Sequence, residues 1–146
     1  MANYTIREFK NALDGWADAV DNGLRDCIVI LGEKIQTDLV ERAPVDTGRF
    51  RGNMQVTANS APLYALNQYD KDGSKTIAQG VRAVKGFMYG GGAVRSIHFS
   101  NMLIYANSLE YGHSQQAPQG VFGIVSSQLG DFMSQAIREA KGKNAL

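Results

Sequence analysis

The sequence predicts an α+β domain: a long N-terminal helix and a C-terminal helix packed on a small antiparallel sheet. Three observations predict it. Apolar residues recur at three- and four-residue steps from Ile6 to Leu39, short alternating runs fill the middle of the chain, and a second helical stripe runs from Val121 to Ile137. At 146 residues the chain can bury one core but not two comfortable ones, so residues 1–146 form a single domain.

The first helix has a start signal. Thr5 is an N-cap with Glu8 three residues on, a capping box. Ile6, Phe9, Leu13, Trp16, Val20, Leu24, Ile28, Leu31, Ile35 and Leu39 then form one face, which is core or subunit interface. Unbroken, a helix of about 35 residues would be ~50 Å long. A break or kink is expected at Asn22-Gly23, because an interior glycine costs about 1 kcal/mol against alanine. Cys27 lies in the apolar run Cys27-Ile28-Val29-Ile30-Leu31 and reads as a buried, inert thiol.

The junction Glu41-Arg42-Ala43-Pro44-Val45-Asp46-Thr47-Gly48-Arg49-Phe50-Arg51 ends that helix. Pro44 donates no backbone bond and drives Ala43 out of the helical region. Asp46 and Thr47 can bond the backbone ahead of them, and Gly48 can take a positive φ. Arg49 and Arg51 should leave the turn as the start of a strand, Arg51 to Asn59, closed by Asn59-Ser60-Ala61-Pro62.

Beyond it, Leu63 to Tyr69 is ambiguous and Asp70 to Ser74 is an exposed loop with too few oxygens for calcium. Ser74 caps a helix to Phe87 through Ile77, Val81, Val84 and Phe87, against the weakening effect of Gly80. Tyr89-Gly90-Gly91-Gly92-Ala93 is a flexible hinge or interface loop, not a phosphate cradle, since no Gly-Lys-Ser/Thr follows. Arg95–Ser100 and Met102–Tyr105 read as strands, joined as a hairpin through Ser100-Asn101. Pro118 permits the start of the last helix, and residues 141–146 should fray.

Bulk properties exclude several classes. Net charge is +1, which gives no global pull toward nucleic acid or membrane, and no apolar run approaches a membrane span. Met1-Ala2-Asn3-Tyr4 lacks the pattern of a signal peptide. A single cysteine excludes an internal disulfide and fits a reducing cytosol. No metal or cofactor motif occurs. Catalysis would fall to His98, His113, Cys27, Asp46 and Glu110, and a Glu110–His113 pair at one turn is too small for a metal site. Glu110 reads instead as a turn cap or as the salt-bridge partner of Arg49 or Arg51. Residues 1–72 hold 11 acids and 8 bases, whereas residues 73–146 hold 3 acids and 7 bases. Lys75, Arg82, Lys85 and Arg95 fall in an acid-free stretch. Unlike patches of this kind suit head-to-tail subunit contacts or mild contact with DNA.

Pro44-Val45-Asp46-Thr47-Gly48-Arg49 after a charged helix resembles the signature of the HK97 gp10-like family of phage neck and tail components. The block Tyr105-Ala106-Asn107-Ser108-Leu109-Glu110-Tyr111-Gly112-His113 is similar to that family's second element, and Gln116-Ala117-Pro118-Gln119-Gly120-Val121-Phe122 sits where its proline loop falls. The loop here lacks the family's Pro-Phe-Leu-Arg-Pro ending, and residues 63–100 form a variable insert. The resemblance implies a structural virion protein that works by assembly, not as an enzyme. It would form a homo-oligomeric ring in the neck or tail, assembled in the host cytoplasm. Its partners would be head-closure or connector proteins and tail terminator or tail tube proteins, with no membrane and no cofactor. The motif residues Pro44, Val45, Asp46, Thr47, Gly48, Arg49, Arg51, Tyr105, Leu109, Glu110, Tyr111 and Gly112 would meet subunits. Tyr89, Gly90, Gly91 and Gly92 would form an assembly loop, ordering on contact as Asp70 to Ser74 would. Lys75, Arg82, Lys85 and Arg95 would face DNA in the lumen. A tail terminator or other minor tail component, and a weak nucleic-acid-binding module using Phe87, Tyr89 and Phe99, are the alternatives.

Overall fold

Thr5 opens the first helix as its sequence requires. Its hydroxyl accepts from the Glu8 amide at 3.2 Å, and the Glu8 carboxylate accepts from the Thr5 amide at 2.9 Å. The structure is a computed structural model that describes residues 5–112, 114–117 and 119–146. Helix α1 spans Ile6–Arg42, 37 residues, and so extends about 55 Å. The break expected at Asn22-Gly23 does not occur. Gly23 is buried, and a Cβ there would lie 2.9 Å from Leu146 Cδ1, so the glycine admits the C-terminus rather than bending the helix. Ala43, extended ahead of Pro44, ends α1 as predicted.

The chain then departs from the expected strand. Gly48, at φ 84°, turns it into one helical turn, α2 (Arg49–Gly52), and the strand β1 begins only at Gln55 and ends at Ala58. Arg51 is held by this turn against the end of α1. Its guanidinium donates to the Glu41 and Ala43 carbonyls at 3.1 Å each, and to Lys71 O at 2.8 Å. A cation there satisfies carbonyls that the helix leaves unpaired.

Helix α3 (Ser74–Tyr89) is capped by Gly73 at φ 80° rather than by Ser74. The loop before it is tied by side-chain hydrogen bonds. Asp70 accepts from the Gly73 amide, the Thr76 amide and the Thr76 hydroxyl, and Asp72 accepts from the Ser74 amide and hydroxyl. The Ser74 amide, then its hydroxyl, lower the Asp72 pKa. Gly80 fits the helix because α1 crosses there: a Cβ would lie 2.6 Å from Gln36 Cγ. Gly32 of α1 makes the reciprocal approach to Val84.

Strand β2 (Ile97–Ser100) pairs antiparallel with β1, with Val56 opposite Phe99 and Thr57 opposite His98. The expected hairpin at Ser100-Asn101 is therefore absent, since β2 returns to β1 across the insert. Met102–Tyr105 is not a strand but leads into α4 (Ala106–Glu110). Asn101 makes that turn, donating to Phe50 O at 2.9 Å and accepting from the Leu103 amide. The single last helix expected is two, α5 (Phe122–Ser127) and α6 (Leu129–Lys143), divided at Gln128. Pro118, its expected start, lies outside the described residues, as do Met1–Tyr4 and His113. Of residues 141–146, expected to fray, Lys141–Lys143 continue α6, and the turn after it sets Asn144 and Leu146 against α1.

The core joins the C-terminal half of α1 to everything after it. Leu39, Val40, Phe50, Met54, Leu103, Val121 and Val125 are buried together. No helix among the described residues is long and apolar enough to cross a membrane.

Candidate assembly site

The two sequence motifs, about sixty residues apart, meet in one wall. Phe50 and Tyr105 stand with ring centroids 6.3 Å apart. Beside them Pro44, Val45, Asp46, Thr47 and Arg49 face Leu109, Ser114 and Gln116 around a cavity of about 270 Å³. Gln116 closes it by a two-point clamp. The Val45 amide donates to Gln116 Oε1 at 2.8 Å, and Gln116 Nε2 donates to Val45 O at 2.9 Å. A side-chain amide thus pairs with the backbone as a strand neighbour would, and holds the proline turn on the second motif.

Each residue of the first motif has a distinct task. Pro44 and Val45 are half-buried, whereas Asp46 and Thr47 are exposed, and the Thr47 hydroxyl accepts from the Arg49 amide at 3.3 Å. Gly48 is buried against the insert. A Cβ there would lie 2.6 Å from Lys71 N and 2.8 Å from the Asp70 carbonyl carbon, and Gly48 O accepts from the Asp70 amide at 3.0 Å. Positive φ and close approach both demand glycine. Arg49 borders the cavity with its Nε buried and unpaired.

The second motif divides between surface and frame. Tyr105 caps α4 and Leu109 packs on the core, while Tyr111 is 81% exposed and Gly112 has φ 89°. Glu110 makes no ion pair with Arg49 or Arg51. Its carboxylate accepts from the Val121, Phe122 and Gly123 amides at 2.9, 2.7 and 3.0 Å. It therefore caps the start of α5, where the unpaired amides and the helix dipole favour an anion. Arg51 serves the α1 terminus instead. Both are tied into the frame of the domain.

The glycine-rich loop is shorter than expected. Tyr89 ends α3 with its hydroxyl on the Asp26 carboxylate. The far end is tied too, because Asn59 donates to Ala93 O at 3.0 Å and accepts from the Arg95 amide at 2.7 Å. Gly90, Gly91 and Gly92 remain an exposed bend between these ties. Lys75, Arg82 and Lys85 are all exposed and share one side of α3, while Arg95 stands apart beside β2. Cys27 is half-buried rather than buried, and burial raises its thiol pKa. His98 is half-buried on β2 with Nε2 3.0 Å from Ser96 Oγ.

Sequence reasoning missed the residues that stitch the insert to the motifs. Asn53 accepts from the Leu66 amide at 2.6 Å and donates to Arg49 O, and Gln68 donates to Gly52 O and to the Thr76 hydroxyl. Isolated amides carry no periodicity, so only the three-dimensional pairing shows them. The same holds for Gln116. Comparison with protein-family models, with curated proteins and with solved structures finds no match. The fold and site together define an α+β domain with a stitched body, a small walled socket and an uncovered helical arm.

Proposed function

We propose that this chain is a structural virion protein of a tailed bacteriophage, a neck or tail-completion component that works by forming a ring with copies of itself between head connector and tail. The observation that carries the reading is the convergence of the two motifs on one socket. Pro44 to Phe50 of the first motif, with Tyr105, Leu109, Ser114 and Gln116, build a wall that offers a carboxylate, a guanidinium, an aromatic edge and apolar floor to a neighbour. That is a recognition surface rather than a reaction centre. Of the groups that could act as acid or base, Glu110 is engaged in capping α5, and among the described lining residues Asp46 is the one carboxylate at the socket. The exposed bases of α3 suit a lumen lined for the passage of DNA with mild, salt-sensitive contact.

The test is mass determination of the purified chain, alone and with connector, tail-terminator and tail-tube proteins of one phage. The expected result is a ring-sized oligomer, free or formed on one of these partners, that Asp46→Arg abolishes without loss of fold. A chain that forms no ring alone or with any of them overturns the reading. Tight, saturable DNA binding by the isolated chain would favour the nucleic-acid module instead.

A further inference from the structure

The N-terminal half of α1 carries an apolar face that stands largely uncovered among the described residues. Ile6, Phe9, Leu13 and Trp16 are 90, 60, 48 and 63% exposed. With Val20 they fall at alternating three- and four-residue steps, the seam of a heptad repeat. A seam of that period fits another helix. We propose that this arm pairs with the same arm of a second copy of the chain, as an antiparallel coiled coil centred between Asp14 and Gly15. The inference does not rest on the virion reading, which concerns the socket at the other end of α1.

Three features select a second copy in that orientation. The first is steric matching. Antiparallel pairing about this centre sets Leu13 of one copy level with Trp16 of the other, and Phe9 level with Val20, so large faces smaller at each layer. Ala12 and Ala19 on one edge and Ala17 on the other let the backbones approach closely. The second is charge. Lys10 and Asp21 lie on the same edge of the seam, eleven residues apart. The antiparallel pairing brings Lys10 of each copy to within two residues' rise, about 3 Å along the axis, of Asp21 of the other. Symmetry makes two such pairs. A parallel pairing would set Lys10 near Glu8 on the edge of Ala12 and Ala19, and that carboxylate is already engaged by the Thr5 amide. The third is continuity. The base of the arm opens into an apolar groove of about 540 Å³ walled by Trp16, Val20, Leu24, Cys27, Ile137 and Leu146. The pairing carries Ile6 of the second copy to the level of Gly23, where it would meet the Leu146 side chain already seated there. The overlap spans residues 6–23, about 27 Å of helix.

Sedimentation equilibrium of the full chain from about 1 to 300 μM tests this. The expected result is a reversible dimer of the 15.9 kDa chain. Leu13→Asp removes a buried leucine twice per dimer and should raise the dimer Kd about 100-fold or more. Helix content of the dilute protein should not change, because Leu13 touches no core residue. Lys10→Asp and Asp21→Lys should each weaken the dimer by roughly two- to tenfold, and combining them should restore it. A chain that stays monomeric throughout, whether or not it binds anionic vesicles, overturns self-pairing. A dimer indifferent to Leu13→Asp places the contact elsewhere and overturns it too. A double reversal no better than the singles overturns the antiparallel register. None of these outcomes bears on whether rings form on phage partners.

Discussion

The two halves of α1 have the same apolar period and opposite fates. From Val29 to Val40 the stripe is covered by α3, α5 and α6, half-buried at Leu31 and Ile35 and buried at Leu39 and Val40, 2% and 0% exposed. From Ile6 to Trp16 the same stripe stands largely in solvent, and Leu24 does so beyond a half-buried Val20. Between them Asp26 forms a collar, accepting from Tyr89 at the end of α3 and from Asn144 at the end of α6, with Lys143 Nζ at 4.0 Å. Period therefore tells that a helix has a sticky face but not what covers it. The body ends where its other helices end, and the helix does not.

The largest effect that could break this contrast is at its two leucines. Leu39→Ala should cost about 2–5 kcal/mol in urea unfolding, because it empties a site closed on all sides. Leu13→Ala should change the stability of dilute protein by no more than about 0.5 kcal/mol, because its contacts are with water. Equal costs would mean that the arm is covered in the monomer.

Glycine substitutions should sharpen the same contrast by differing in sign. Gly48→Ala meets both a φ of 84° and the backbone of residues 70–71, and should destabilise by roughly 3 kcal/mol. Gly15→Ala on the arm meets nothing within 4 Å, and should stabilise by about 0.5–1 kcal/mol through helix propensity. Midpoints of thermal unfolding for the two variants, moving in opposite directions, would check both.

How much of this was legible follows from the range of each signal. The first helix, its capping box, its stop at Ala43-Pro44, the positive φ at Gly48 and the helix from Ser74 were readable, since each depends on residues within one or two turns. Gly23 and Gly80 misled, because glycine in a helix signals either weakness or close approach. Only the facing chain, Leu146 or Gln36, decides which. Arg49–Gly52 alternates like a strand yet forms a helical turn, because the Arg51 bonds to the end of α1 outweigh so short a pattern. The socket was half legible. Both of its motif walls were marked, but Gln116, which clamps them, and Asn53 and Gln68, which brace them, carry no local signature.

Glu110→Gln tests whether the second motif belongs to the frame. A charged carboxylate that accepts three amides at the start of α5 becomes a neutral amide with one acceptor oxygen. The expected loss is about 1–2 kcal/mol in denaturant unfolding of dilute protein. Unchanged stability together with impaired assembly would return Glu110 to the surface role that its sequence suggested.

The smallest effect falls on the collar itself and carries a pH signature. The hydrogen bond from Tyr89, and next that from Asn144, hold the Asp26 carboxyl below its ordinary value of 3.8. The same bond to Asp26 raises the Tyr89 hydroxyl above its ordinary 10.0. A depressed carboxyl contributes stability that is present above its unfolded pKa and lost as pH falls through its folded one. A raised phenol contributes stability that is present below its unfolded pKa and lost as pH rises through its folded one. The bond should therefore act between about pH 4 and pH 10 and fade outside that window. Tyr89→Phe should cost no more than about 0.5 kcal/mol near pH 7, since Tyr89 is half exposed and water screens the bond. The difference from the parent chain should shrink below about pH 4 and above about pH 10. Amide exchange should locate the loss at residues 22–30 of α1 and at the ends of α3 and α6, with Leu39 and Val40 still protected. A pH-independent difference, or one spread evenly over α1, would mean that the collar does not set the boundary between body and arm.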